Sequence, residues 1–172
     1  MKIFKALLAA ALLPLTAAAH DYSTIEGGYV SVDRGRDDDA GFRFGFSAPL
    51  APTFNLFGEY VDTGDFEQLS FGGQVHTPMA NRLDFTAGVS VEHVDLGRVD
   101  DTGLGLRAGL RWLSPSRQFE VNPELRFVDV FDDESTSLRV AALATLNPAW
   151  ALQGAVQGGD DDRFELGLRY NL

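Results

Sequence analysis

The side chains that could do chemistry in this chain are few in kind. Cysteine is absent and there are three histidines, His20, His76 and His93. Thiolate nucleophiles and thiolate metal ligands are therefore excluded. A histidine becomes a general base when a serine or an acid stands beside it in a fixed geometry. No His-x-Ser pair occurs. No catalytic residue is assigned and no enzyme activity is expected. The runs Asp37-Asp38-Asp39 and Asp160-Asp161-Asp162 are oxygen-rich, which suits Ca²⁺ or Mg²⁺. Neither has the spaced ligands and turn glycine of an EF-hand. They read as solvated tips able to hold divalent cations weakly, so no metal site and no cofactor is assigned.

A second set of charged residues is more ordered. Seven acids (Glu26, Glu59, Asp84, Glu92, Glu120, Glu124 and Glu165) and six arginines (Arg43, Arg107, Arg111, Arg126, Arg139 and Arg169) all occur at alternate positions within apolar stretches. Alternation in a strand sends neighbouring side chains to opposite faces. These thirteen residues therefore share one face, where opposite charges can pair. Arg107 and Arg111 lie on the same face at different depths and are expected to meet different carboxylates. His76 falls on this face, and His93 on the other, near a rim.

The elements that must carry these residues are strands. Leu104, Leu106, Ala108, Leu110 and Trp112 alternate with Gly105, Arg107, Gly109 and Arg111. Phe42, Phe44, Phe46 and Ala48 alternate with Arg43, Gly45 and Ser47, and Phe164, Leu166, Leu168, Tyr170 and Leu172 with Glu165, Gly167, Arg169 and Asn171. No comparable stretch has helical period. Ten strands are predicted: Tyr22–Asp33, Gly41–Leu50, Phe54–Asp62, Glu67–Thr77, Leu83–Val94, Thr102–Leu113, Phe119–Val130, Ser137–Leu146, Trp150–Gly158 and Phe164–Leu172. The first alternates poorly, and eight strands is the alternative if two weak runs are loops. Each is about the length a tilted strand needs to cross a bilayer.

The connections fall into two classes that alternate along the chain. One class is short and carries proline: Pro49–Pro52, Thr77–Asn81, Ser114–Ser116 and Asn147–Pro148. The other is acidic: Asp33–Asp39, Asp62–Glu67, Asp95–Asp101, Asp129–Glu134 and Asp160–Asp162. Outer-membrane barrels have short periplasmic turns and longer polar outer loops, so the proline turns are expected inside and the acidic loops outside. Tyr22, Phe54, Trp112, Phe119, Trp150 and Tyr170 would then stand at one height, as an aromatic girdle.

The start of the chain is an address. Lys2 and Lys5 precede an apolar run from Ala6 to Leu15, followed by Ala17-Ala18-Ala19. This is the three-part order of a secretory signal peptide. The expected organisation is a cleaved leader over residues 1–19 and one barrel domain over 20–172. A net charge of −11 argues against nucleic acid as a partner.

The two faces decide the solvent. Ten strands cannot enclose all the large apolar side chains, whereas lipid can cover them while the charges pair in the lumen. The chain therefore reads as an all-β, antiparallel, up-and-down transmembrane β-barrel with a largely plugged polar lumen. The expected partners are outer-membrane lipid and lipopolysaccharide. The sequence does not name an extracellular partner.

The last residues strengthen this reading. The ending that carries Gly167, Tyr170 and Leu172 resembles the terminal insertion signal by which the barrel-assembly machinery recognises outer-membrane proteins, with Leu172 in place of the usual Phe. The runs Ile25-Glu26-Gly27-Gly28-Tyr29-Val30, Asn55-Leu56-Phe57-Gly58-Glu59-Tyr60 and Phe71-Gly72-Gly73-Gln74-Val75 resemble the small outer-membrane barrels of xanthomonad-type bacteria. That family is OmpX-like in style and named for a proposed activator of plant immunity. The resemblance spans the mature chain through short motifs. It implies no enzyme activity and a link to adhesion or biofilm. The expected role is surface interaction or envelope structure. A narrow diffusion pore is the alternative, followed by an outer-membrane hydrolase and a soluble periplasmic ligand-binding barrel.

Overall fold

A computed structural model describes residues 20–33, 38–131, 133–160 and 162–172. The leader expected over residues 1–19 lies outside the described residues, as do Asp37 and Asp161 of the acidic tips. Ten strands form one closed barrel: β1 (Thr24–Asp33), β2 (Asp38–Ala51), β3 (Phe54–Asp62), β4 (Glu67–Ala80), β5 (Leu83–Asp95), β6 (Asp100–Leu113), β7 (Phe119–Val130), β8 (Asp133–Thr145), β9 (Trp150–Gly159) and β10 (Asp162–Asn171). Each pairs antiparallel with its sequence neighbours, and β1 pairs with β10 to close the ring. The eight-strand alternative is thereby excluded. Closure satisfies the ladder all round and leaves no edge.

Every proline turn lies at one end and every acidic hairpin at the other, with both termini of the barrel at the proline end. The strands run further into the acidic segments than alternation alone indicates. Asp95 pairs with Asp100, Asp129 with Glu134, and Asp33 with both Asp38 and Asp162. Among the described residues, the acidic segments between Asp62 and Glu67 and between Asp95 and Asp100 thus close as tight hairpins. The two are built alike. The Asp62 carboxylate accepts the Gly64 amide at 2.9 Å, and the Asp95 carboxylate accepts the Gly97 amide at 2.6 Å. Both glycines are left-handed, at φ 88° and 76°, which this turn favours.

Prolines mark irregularities in the wall. The register shifts at Pro49 and Pro78, next to turns of the proline end. Between β6 and β7, pairing skips from Gly109–Glu124 to Trp112–Val121, with Pro123 in the gap. Proline has no N–H to give the ladder. At the β1–β10 seam Gly28 faces Gly167, and a Cβ on Gly28 would lie 2.4 Å from the Gly167 Cα. That close approach explains a glycine on each side of the closure.

Alternation sorts the two faces. Outside, Leu104, Val89, Phe71 and Leu125 are all more than half exposed. Trp112, Phe119 and Trp150 stand exposed at the proline end, and Tyr170 packs on Trp150 with ring centroids 4.8 Å apart. Phe54 lies over Gly73 on the same outer face. Tyr22 departs from the expected girdle. It is 6% exposed and turns into the lumen, because the segment before β1 folds across the mouth instead of extending the strand.

Candidate functional site: the lumen

The inward residues form layers that can be read from the proline end upward. The first is an N-terminal strap. The Tyr22 hydroxyl donates to Asp84 Oδ2 at 2.9 Å, and His20 Nδ1 lies 3.2 Å from the same oxygen. The Tyr22 ring stacks on His76 at 3.7 Å, with the Arg111 guanidinium 4.4 Å above its other side. Arg111 Nη1 donates to the Asp21 carbonyl at 2.9 Å. The strap is thus tied to β4, β5 and β6 and lies across the mouth. His20 and His76 are both buried, while His93 is half-buried on the outer face, with Nδ1 2.9 Å from Thr102 Oγ1.

Above the strap runs a chain of alternating charge. Arg111 Nη2 meets Glu120 at 2.8 Å, and Arg169 Nη1 meets the same carboxylate at 3.2 Å. Arg169 Nη2 reaches Glu26 at 2.7 Å, and Arg43 Nη1 reaches Glu26 at 2.8 Å. Arg43 continues to Glu59 at 2.5 Å, and Arg126 Nη1 meets Glu59 at 2.8 Å. Arg126 Nε then donates to Glu124 at 2.7 Å. Beside this chain Arg139 grips both oxygens of Glu165, at 2.5 and 3.0 Å. That two-point grip is the strong geometry for a guanidinium and a carboxylate. A buried charge stays charged only when paired, so each link supports the next.

The upper layer is anchored by Glu92, only 1% exposed. It accepts from Gln68 at 3.0 Å, from Ser90 at 2.5 Å and from Ser70, and faces Arg107 at 3.7 Å. Arg107 also lies 4.0 Å over the Phe57 ring. Arg107 and Arg111 therefore meet different acids at different depths. The space left among these side chains is a cavity of about 120 Å³, large enough for several waters.

Two features of the lumen escape an alternation reading. Arg163 is buried and donates to Gln68 at 2.6 Å, which gives the inner face a seventh arginine against its seven acids. Its parity is that of Glu165, so extending the last predicted strand by one residue would have found it. The other feature is apolar. Val30, Val32, Val61, Phe66, Val94 and Val130 form a buried cluster inside the barrel at the acidic end. Hydrophobic residues of inward parity carry no sign of their own and read as wall. Above the cluster a cavity of about 830 Å³ opens toward the acidic hairpins.

The three residues expected to form an insertion signal have these places. Gly167 faces Gly28 at the seam, Tyr170 joins the outer aromatics, and Leu172 is exposed with its amide donating to the Ser23 carbonyl at 2.9 Å. Among the described residues no three His, Asp or Glu side chains gather to hold a metal ion.

No protein-family model and no curated protein matches the chain. Solved structures do. A KdgM porin superposes with a TM-score of 0.57 and 12% identity, covering 87% of this chain and 99% of that one. The chain has the fold of a small outer-membrane porin. A NanC porin gives a TM-score of 0.53 at 8% identity, covering 87% of this chain and all of the other (100%). A KdgM porin solved with disordered oligogalacturonate gives 0.55. At such identities the likeness is one of fold.

Proposed function

We propose that this chain is a closed outer-membrane β-barrel that serves in surface interaction or envelope structure, with no enzymatic activity. The observation that carries the reading is the ionic chain from Arg111 through Glu120, Arg169, Glu26, Arg43, Glu59 and Arg126 to Glu124. It fills the middle of the lumen between the strap below and the valine layer above. Solute passage would require parting buried, mutually supporting ion pairs.

The membrane location rests on the outer face. Exposed Phe, Leu and Val surround the barrel, far beyond the few hundred Å² of apolar patch that a soluble monomer tolerates. A soluble lipocalin-like barrel keeps such residues inside. Export with removal of residues 1–19, insertion through the Gly167, Tyr170 and Leu172 signal, and kinship with the xanthomonad-type, OmpX-like barrels belong to the same proposal. In that orientation the acidic hairpins face outward, where divalent cations would bridge them weakly to lipopolysaccharide phosphates. A narrow pore is the second reading, supported by the likeness in fold to the KdgM and NanC porins.

The test is solute entry into proteoliposomes. Vesicles carrying the protein should swell no faster in arabinose than protein-free vesicles. Swelling that rises with protein content would favour the pore. Carbonate-resistant recovery with outer membranes is expected in cells, and a soluble periplasmic monomer would contradict the location.

A further inference from the structure

We propose that the cavity at the acidic end is a binding site for a compact hydrophobic cation. At about 830 Å³ it lies within the range of small-molecule pockets. The ionic layer below gives it a floor, so it is a blind vestibule.

Its wall is apolar on one side. Phe66, Val94, Leu96, Val99, Val130 and Phe131 line it. Val99 is 55% exposed and Phe131 is 36% exposed, so this wall is not sealed by the protein itself. Phe131 sits at a hairpin tip with φ 61°, and its amide is held by Asp101 Oδ2 at 2.6 Å. An aromatic fixed at a wet rim offers a cation the face of its ring.

The charge around the cavity has a definite sign. Asp133, Asp160 and Asp162 line it, and all three are exposed. Asp160 accepts the Thr136 amide at 2.8 Å and Asp162 accepts the Gly159 amide at 3.1 Å. Neutral amides orient these carboxylates without cancelling their charge, and none of the three meets an arginine or lysine among the described residues. The two arginines of the floor are committed elsewhere. All of Arg126's donors turn to Glu59 and Glu124, and Arg163 donates to Gln68 and lies 5.3 Å over Phe66. An apolar wall under a rim of exposed carboxylates selects an apolar body carrying positive charge. An anion would meet the carboxylates first, and a metal ion or sugar would gain nothing from the valines.

The experiment uses tetraphenylphosphonium and tetraphenylborate, which share a shape and differ in the sign of charge. The protein is held in phosphocholine nanodiscs, and binding is measured by titration calorimetry against empty discs. The phosphonium should bind at least tenfold tighter than the borate after subtraction of the empty-disc signal. Asp133→Asn with Asp160→Asn and Asp162→Asn should weaken it about tenfold, through three screened charge contacts. Val99→Ser with Phe131→Ser should weaken it as well. All five positions are exposed, so these variants should keep the fold, which strand circular dichroism checks. Phosphonium binding no greater than to empty discs would overturn the proposal. So would equal affinity for the borate, or a triple variant that binds as the parent does. The vestibule lies above the ionic layer, so swelling or conductance tests the closed lumen separately from this site.

Discussion

Glu59→Gln tests the ionic network at an acid gripped by two arginines. Glu59 is 5% exposed and accepts from two guanidiniums, Arg43 at 2.5 and 3.0 Å and Arg126 at 2.8 and 3.4 Å. The amide keeps the shape, removes the charge and turns an NH₂ toward cations. Breaking a buried ion pair by removing one partner costs about 3–5 kcal/mol. Both arginines keep another carboxylate: Glu26 at 2.8 Å and Glu165 at 3.6 Å for Arg43, and Glu124 at 2.7 Å for Arg126. The expected loss therefore lies at the lower end, about 3 kcal/mol. With a urea slope of about 2 kcal/mol/M, the unfolding midpoint should fall by about 1.5 M. The assay is urea unfolding in phosphatidylcholine vesicles, followed by fluorescence of Trp112 and Trp150. Adding Arg126→Met to the variant should restore part of the loss, since it removes a cation that has lost one of its acids. An unchanged midpoint for Glu59→Gln would refute the reasoning, because water rather than protein would then be solvating the pair.

Three further outcomes follow from the same structure. Ala108 is exposed on the outer face, flanked across the ladder by Ala87 and Leu125, so Ala108→Arg should cost about 2–4 kcal/mol in bilayers if lipid covers that face. Little change in the same unfolding assay would mean that water does. Gly28→Ala would place a Cβ 2.4 Å from the Gly167 backbone, and overpacking of about 1–3 kcal/mol at the seam should lower the folded fraction on heat-modifiability gels. A folded fraction equal to that of the parent would show that the seam yields. Tyr170→Ala with deletion of Leu172 should lower outer-membrane assembly without lowering export, measured by fractionation, and unchanged assembly would reduce the terminal motif to an ordinary strand.

The strands were legible because one face is apolar and the other charged. Where that contrast is full, as in Phe42–Ala48 or Leu104–Trp112, the sequence places both faces correctly. Where it fades, the reading fades for a physical reason. Val30, Val32, Val61 and Val94 point inward yet look like residues that lipid would cover, so the apolar layer and its vestibule are visible only in three dimensions. Tyr22 has an aromatic body suited to a headgroup region and a hydroxyl suited to a buried acid. Its side is decided by Asp84, sixty-two residues away in sequence. The acidic runs read as loops because aspartate is poor in strands, but cross-strand pairing and the Asp-x-Gly turns at Asp62 and Asp95 draw them into hairpins. The pairing of particular acids with particular arginines depends on side-chain reach across the lumen, as between Arg126 and Glu59, which no local pattern encodes.

The most direct measurement of the closed lumen is planar-bilayer conductance of the refolded protein beside Arg107→Ala and Arg126→Ala. The unmodified barrel should show no resolved channel steps. The variants should become leaky as the layer between Glu92 and Glu59 loses its cations. Stable, well-resolved open channels in the unmodified protein would contradict the ionic plug and make this chain a pore.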